Sequence, residues 1–173
     1  MPATNPSKAR TQLDDALRFS TTPNEVISAL SVLTQLSSDQ AEQLMRLVHT
    51  FMLLTTVGAF DAFLTERCRE VRVHPVRDGQ PVSPDSASFK EKLHALRATV
   101  PEATWKARVD DAHELYYKAR TLWIHGAGLL TAVRDQPRDL SAFDQGSDGR
   151  CWVSERLWSG CVKALEGLAG DCL

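Results

Sequence analysis

The amino-acid sequence predicts an all-α fold, an up-and-down bundle of about five helices without a significant sheet. Apolar residues recur every three or four positions over several long stretches, and no stretch alternates convincingly between apolar and polar residues as a half-buried strand would. The 173 residues, of which 43% are hydrophobic, suit one helical domain spanning 1–173. Residues 1–20 are expected to be loosely attached to it.

The first two helices are predicted from the way they begin. A helix over 22–36 is expected because it starts with a threonine N-cap, a proline at the first helical position and a glutamate three residues after the cap. Ser38 and Asp39 open a longer helix with its body at 40–72. Two apolar faces indicate that this central helix packs on more than one side. The first face contains Leu44, Val48, Phe51, Thr55, Gly58 and Ala62, and the second contains Leu47, Leu54, Phe60 and Phe63.

A loop and a short helix follow the central helix. His74 and Pro75 are predicted to end it, because a residue that precedes proline disfavours the helical conformation. Residues 75–86 contain three prolines and a glycine, which is typical of a loop. Ser88 is then expected to cap a helix over 89–98.

The last part of the chain is predicted to contain two more helices. Pro101 opens a long helix over 102–134, and its core stripe is Ala112, Leu115, Ala119, Leu122, Gly126, Leu129 and Val133. Residues 135–150 are expected to form an exposed loop, followed by a short extended piece at 151–153. Ser154 starts the final helix, whose inward residues are Leu157, Trp158, Cys161, Leu165 and Leu168.

Composition limits the class of protein. The net charge is −2 at pH 7, so no overall basic field attracts nucleic acid, and any nucleic-acid site must be a local basic patch. The polar N-terminus lacks the apolar run of a secretory signal. The longest apolar run, 51–64, contains Asp61 and is shorter than the roughly 20 residues that span a bilayer. That run therefore predicts a buried helix and no membrane association. No cysteine pair has Cys-x-x-Cys spacing, and without a secretory signal this favours reduced thiols in a cytoplasmic protein.

Arg120 and His125 stand in an otherwise apolar part of the predicted long helix, in the order Arg120-Thr-Leu-Trp-Ile-His125. A guanidinium stays charged and can grip a phosphate through two parallel hydrogen bonds. An imidazole can take or give a proton near neutral pH. RNA carries its own nucleophile, the 2′-hydroxyl, next to the scissile phosphate. The two residue types therefore suit RNA cleavage without a metal ion.

The spacing of this pair leaves alternatives open. Five residues separate the side chains by about 140° around an ideal helix and by about 7.5 Å along it. Gly126 and Gly128 could loosen the helix after His125, or two copies of the helix could meet at a two-fold seam. The structural alternative is that Arg120 forms a surface or interhelical ion pair and His125 is a buried histidine with its hydrogen bonds satisfied.

The segment resembles the signature of HEPN domains, the higher eukaryotes and prokaryotes nucleotide-binding family, in which four to six residues separate an arginine from a histidine. The aromatic-acid-aromatic stretch at 57–64 is similar to one on a central helix of several HEPN subfamilies. The resemblance covers about 40–170, and only the motif is specific. Asparagine commonly follows the family's arginine, where this chain has Thr121. One subgroup carries a tyrosine where this chain has Ala127.

The resemblance implies a homodimer whose two motifs face each other and form a composite active site. Many HEPN proteins are metal-independent endoribonucleases that act as toxins or in phage defence, which implies RNA and an antitoxin or defence protein as partners. By this resemblance His125 moves the proton of the 2′-hydroxyl or of the leaving oxygen, and Arg120 stabilises the charged phosphorane. The expected product is a 2′,3′-cyclic phosphate.

Four further residues are candidates for supporting the site or binding RNA: Thr121, Lys118, Asp61 and Tyr117. An unpaired carboxylate among apolar neighbours is costly, so Asp61 could pair with Arg120 and orient it. The alternatives are an interhelical salt bridge without a functional role or an exposed side chain. Lys118 and Thr121 could contact phosphate, although Lys118 is equally plausible as a solvated charge. Tyr117 could stack on a base, or it could belong to the core or to a dimer interface.

No metal site and no cofactor are predicted, because the acidic run at 110–114 lacks matching ligands on other helices. The competing function is a non-catalytic helical dimerisation module that binds a protein partner or RNA. The Thr121 departure and the acidic net charge favour that alternative.

Overall fold

The structure, a computed structural model, describes Arg10, Thr11, Leu13, Asp14, 36–97 and 100–172. Across these residues the protein is mostly helical, as predicted. The helices are α1 (Ser38–Glu70), α2 (Phe89–Ala95), α3 (Glu102–Asp111), α4 (Lys118–Gly126) and α5 (Glu155–Asp171). The strands are β1 (Val76–Arg77), β2 (Gln80–Pro81), β3 (Phe143–Gln145) and β4 (Cys151–Val153). The helix predicted at 22–36 lies, apart from Leu36, outside the described residues.

Three helices begin at serine caps, as the sequence indicates. The Ser88 hydroxyl accepts a hydrogen bond from the Glu91 N–H at 3.3 Å, and the Glu91 carboxylate accepts one from the Ser88 N–H at 2.7 Å. This reciprocal capping box satisfies two donors that a helix start leaves free. Ser154 caps α5 as predicted. The cap of α1 is Ser37, one residue before the predicted Ser38.

The α1 helix is the centre of the core. It packs against α5, β4, α2 and α4. Its most deeply buried residues are Leu53, Val57, Phe60, Phe63, Leu64 and Cys68. Each fully buried leucine or phenylalanine side chain contributes about 1.5–3 kcal/mol relative to the same side chain in water. The five inward residues predicted for α5 are all buried, and Leu13, from the segment expected to be loosely attached, also lies in the core.

The predicted first face of α1 is not the core face. Phe51 is 69% exposed, and Thr55 and Ala62 are exposed as well. Leu47, which was assigned to the second face, is 51% exposed, whereas Phe60 and Phe63 of that face are buried. The helix therefore has two apolar faces, and the described part of the fold covers only one of them.

Two small hairpins occupy parts of the regions predicted as loops. β1 and β2 pair antiparallel around Asp78 and Gly79, which both have positive φ (50° and 77°). That backbone matches the two-residue turn that Asp-Gly favours. β3, inside the predicted loop at 135–150, pairs antiparallel with β4, the extended piece predicted at 151–153.

The long helix differs from its prediction in two ways. α3 and α4 are joined without a break by a π-helical segment, Ala112–Tyr117, where the sequence predicts an ordinary α-helix. The helix then ends at Gly126, eight residues before the predicted end at 134. Ala127 and Gly128 adopt left-handed conformations with φ of 47° and 83°, and such residues terminate helices.

Two further expectations concern the state of the cysteines and association with a membrane. The four cysteines are buried and form no disulfide. Among the described helices, α1 is long and apolar enough to cross a membrane by length and composition alone, with 50% of its apolar window buried inside the fold. The core helix of a globular protein has the same properties, so absence of membrane association and cytoplasmic location stay predictions.

Candidate functional site

Arg120 and His125 both belong to α4, which is a regular α-helix from Lys118 to Gly126. Because no distortion lies between the two residues, their side chains leave the helix about 140° apart and about 7.5 Å apart along its axis. His125 stands in the last turn. The N–H groups of Ala127 and Gly128 donate to carbonyls of the preceding turn, at 3.2 and 3.3 Å, and close the helix directly after it.

The Arg120 side chain is half-buried, and no described carboxylate pairs with its charge. Its guanidinium carbon lies 5.8 Å from the centroid of the Tyr117 ring, within the range of a cation–π contact. Across the described residues, Arg120 has no carboxylate within salt-bridge distance. The interhelical ion pair proposed as the structural alternative for Arg120 is therefore not formed in this part of the chain.

His125 lies on the surface and not in the core. Ile124, its neighbour, is 47% exposed. On an ideal helix Ile124 and Thr121 lie between Arg120 and His125, so one outward face carries all four residues. The buried side of the same helix consists of Ala119, Leu122 and Gly126.

The prediction that Asp61 pairs with Arg120 is wrong. The Asp61 carboxylate bonds to the Lys92 ammonium of α2 at 2.8 Å, and Lys92 is only 4% exposed. A buried ammonium needs a charged partner, and Asp61 supplies it. Asp61 therefore has the second predicted role, an interhelical salt bridge.

Lys118 is also occupied, so neither a phosphate contact nor a solvated charge describes it here. Its ammonium lies 2.7 Å from a Glu114 oxygen and 3.1 Å from an Asp135 oxygen, and 13% of its side chain is exposed. The hydrogen bonds from Lys118 and then His113 lower the pKa of Glu114 to about 2. The bond to Glu114 in turn raises the pKa of Lys118.

Tyr117 and Thr121 remain close to Arg120. The Tyr117 ring stacks on the His113 ring at 5.4 Å and lies 5.1 Å from the Phe89 ring, so it is anchored on the α2 side of the bundle. The Thr121 hydroxyl donates a hydrogen bond to the Tyr117 carbonyl at 3.1 Å. Its proton is therefore committed to the helix backbone and is not offered to a phosphate.

Sequence reasoning missed the residues of the β3–β4 hairpin that lie against the end of α4. The Arg150 guanidinium donates to the Ala127 carbonyl at 3.0 Å. The Trp123 and Trp152 rings are 4.7 Å apart, and the Trp123 N–H donates to the Cys151 carbonyl at 2.9 Å. The run Arg150-Cys-Trp152 combines a basic and an aromatic residue, as nucleic-acid sites do. This combination is the feature of the sequence that could have identified these residues.

Within the described ranges, no three His, Cys, Asp or Glu side chains gather as metal ligands would. Comparison with protein-family models, with curated proteins and with solved structures finds no match to this chain.

Proposed function

We propose that the protein is a HEPN-like endoribonuclease that cleaves RNA without a metal ion, in a toxin–antitoxin or phage-defence system. The observation that carries the proposal is the outward face of α4. Arg120, unpaired across the described residues, and the exposed His125 flank Ile124 there, and both side chains are available to a ligand. The structural alternative, an ion-paired Arg120 and a buried His125, is not formed among the described residues.

The proposed reaction needs only these groups and the substrate. His125 accepts the proton of the 2′-hydroxyl while the hydroxyl oxygen forms a bond to phosphorus. The bond from phosphorus to the 5′-oxygen breaks, and the leaving oxygen takes a proton from His125 of a second copy. Arg120 donates hydrogen bonds to the phosphorane oxygens, whose charge increases in the transition state. The products are a 2′,3′-cyclic phosphate and a 5′-hydroxyl.

A second copy of the protein would also compensate for the angle between the Arg120 and His125 side chains. One α4 helix directs Arg120 and His125 about 140° apart, so a single helix does not converge both on one phosphate. Two such faces meeting about a two-fold axis bring an arginine of one copy towards a histidine of the other. The exposed Ile124 side chain, which lies on the same face between Arg120 and His125, supports an association of this kind.

The decisive experiment is a cleavage assay with purified protein, total RNA and excess EDTA. The parent protein should cut RNA and leave 2′,3′-cyclic phosphate ends. Arg120→Ala should slow cleavage by about 10²–10³-fold, as loss of one oxyanion donor does. Arg97→Ala, at another exposed arginine, is the matched control and should leave the rate unchanged. Cleavage by Arg120→Ala at the parent rate would exclude the mechanism.

A non-catalytic dimerisation module is the second candidate, and the exposed side chains of Leu47, Phe51 and Ile124 favour it independently of the motif. It predicts association without RNA cleavage. Ile124→Asp should then convert a dimer to a monomer in light scattering, while the parent protein leaves RNA intact. Cleavage of RNA by the parent protein would reject this candidate.

A further inference from the structure

A second exposed arginine, Arg134, lies in the segment that follows α4. Ala127 and Gly128 turn the chain after α4, and residues 129–137 then contain one basic residue, Arg134, and one acidic residue, Asp135. The Arg134 side chain is exposed and, within the part of the chain that the structure describes, takes part in no salt bridge, hydrogen bond or ring contact. The mechanism proposed above does not use it.

Two contacts hold this segment against α4. In the last turn of the helix, a Cβ at Gly126 would lie only 2.9 Å from the Val133 Cγ1, so the Val133 side chain packs directly on that glycine. In the first turn, the Lys118 ammonium lies 3.1 Å from the Asp135 carboxylate. Residues 133–135 therefore run back along α4, from its last turn towards its first.

The segment lies on the His125 side of α4. Lys118 and His125 are seven residues apart in a regular helix, which brings their side chains within about 20° of each other around its axis. The Arg120 side chain leaves the helix about 160° away from Lys118. Because Asp135 bonds to Lys118, the backbone at Arg134 runs beside His125 and away from Arg120.

Arg134 is close to His125 and is not neutralised by its neighbour. It follows Val133, which packs on the residue directly after His125, so the two side chains start from adjacent points of the surface. The carboxylate of Asp135 is engaged by Lys118. An arginine with no carboxylate partner can bind a phosphate through two parallel hydrogen bonds. A strand whose scissile phosphate lies at His125 therefore meets a second cation there.

We propose that Arg134 binds a phosphate of the RNA strand next to the phosphate that is cut at the Arg120–His125 site. The inference rests on the proposed function, because it names a further substrate contact of that nuclease. The neighbouring phosphate keeps its charge throughout the reaction. Arg134 therefore holds the substrate and the transition state equally well, which lowers KM and leaves kcat unchanged.

Arg138 provides a matched control from the same loop. Its side chain is also exposed, but it lines a groove together with the carboxylates of Asp111, Glu114 and Asp139. Its N–H donates to the Glu114 carbonyl at 3.1 Å, in the π-helical segment and therefore far along the helix from His125. The acidic neighbours repel a phosphate, so Arg138→Ala should leave RNA binding unchanged.

The first test measures binding separately from cleavage. Its probe is a single-stranded RNA with 2′-O-methyl groups throughout, which lacks the attacking hydroxyl and stays intact. Full-length Arg134→Ala should bind the probe about fivefold more weakly than the parent at about 0.1 M salt, in fluorescence anisotropy. The slope of log affinity against log salt should decrease in magnitude by about 0.7, as loss of one phosphate contact predicts. Arg134→Lys should keep the parent slope, because an ammonium also binds a phosphate.

Three results of this binding test would overturn the inference. The first is an affinity and a slope for Arg134→Ala that equal those of the parent. The second is an equal loss of affinity in Arg138→Ala, which would show a general effect of charge. The third is a parent protein that does not bind the probe.

A cleavage assay distinguishes failure of this inference from failure of the proposed function. Arg134→Ala should raise the KM for RNA about fivefold with kcat near the parent value, whereas Arg120→Ala should lower kcat. The melting temperature of Arg134→Ala should match the parent, since the side chain is exposed. Cutting with a KM that Arg134→Ala does not change would reject the role of Arg134 and leave the nuclease intact. Binding that depends on Arg134 without any cutting would reject the nuclease and leave Arg134 as an RNA contact.

Discussion

The two halves of the long helix treat their charged residues differently. In the paired half, Glu102–Lys118, most charged residues form salt bridges with one another or with neighbouring elements. These ion pairs include Lys90–Asp110, Lys118–Glu114, Lys118–Asp135 and Arg108–Asp171. In the unpaired half, Ala119–Gly126, neither Arg120 nor His125 has a carboxylate partner among the described residues.

This difference separates charges that serve the fold from charges that can serve a ligand. A paired charge has already given up part of its hydration and has satisfied its hydrogen bonds. An unpaired cation on a surface retains its capacity to bind an anion. Substitutions in the paired half should therefore change stability, and substitutions in the unpaired half should change activity.

The largest effect is expected from His125→Ala, in the unpaired half. Cleavage of RNA should slow by about 10²–10⁴-fold, because the variant has lost its general acid and base. The free energy of unfolding should not change, since the imidazole is exposed. His94→Ala, at an exposed histidine of α2, is the control and should affect neither quantity. An equal loss of activity in His125→Ala and His94→Ala would contradict a specific role for His125 in the unpaired half.

The next largest effect concerns the salt bridge between α2 and α1. Asp61→Asn should lower the free energy of unfolding by about 2 kcal/mol, because it leaves the buried Lys92 ammonium without a carboxylate. Urea unfolding measures this change. Lys92→Met in the same background should restore much of the loss. Cleavage per folded molecule should stay at the parent level, and a large drop would return Asp61 to the active site.

The end of the unpaired half depends on Gly128. Gly128→Ala should lower the free energy of unfolding by about 1–3 kcal/mol, because φ there is 83° and the new Cβ would lie 2.7 Å from the Trp123 ring. Cleavage should fall too, since this turn fixes the last turn of α4. Gly167→Ala is the control, because its Cβ meets nothing within 4 Å and alanine favours the α5 helix. Thermal melts that rank the two variants in the opposite order would contradict this.

The smallest effect is a dependence of stability on pH in the paired half. The pKa of Glu114 is about 2 in the folded protein, below its usual 4.5, because Lys118 and His113 donate to it. That contribution is complete above pH 4.5 and is lost as the pH falls towards 2. Glu114→Gln should flatten the stability curve in this interval by about 1 kcal/mol or less. His125→Ala should follow the parent curve. A parallel curve for Glu114→Gln would refute the assignment.

Local chemistry was the predictable part of the fold. The starts of α2 and α5 were correct because a serine hydroxyl satisfies free N–H groups within the next three residues. The β1–β2 turn was missed although Asp78-Gly79 is a strong hairpin signal. The end of α4 was eight residues off, because Ala127 and Gly128 adopt left-handed conformations, and the Gly128 carbonyl there accepts from the N–H of Cys151, which is distant in sequence.

Tertiary pairing was the unpredictable part of the site. The sequence indicated that Asp61 needed a partner, but which cation supplies it depends on how the helices are placed. Periodicity likewise showed two apolar faces on α1 without showing which one the chain covers. Arg120 and His125 were identified from residue types and resemblance, and their exposure is a property only the packing decides.

The π-helical segment Ala112–Tyr117 sets the rotational phase of everything that follows it. Its hydrogen bonds span five residues and not four, which amounts to one residue added to an α-helix. One residue corresponds to about 100° of turn. If this segment were an ordinary α-helix, α4 would be rotated by a quarter-turn or more about its axis. The guanidinium and imidazole would then face different surroundings, while the sequence of α4 stayed the same.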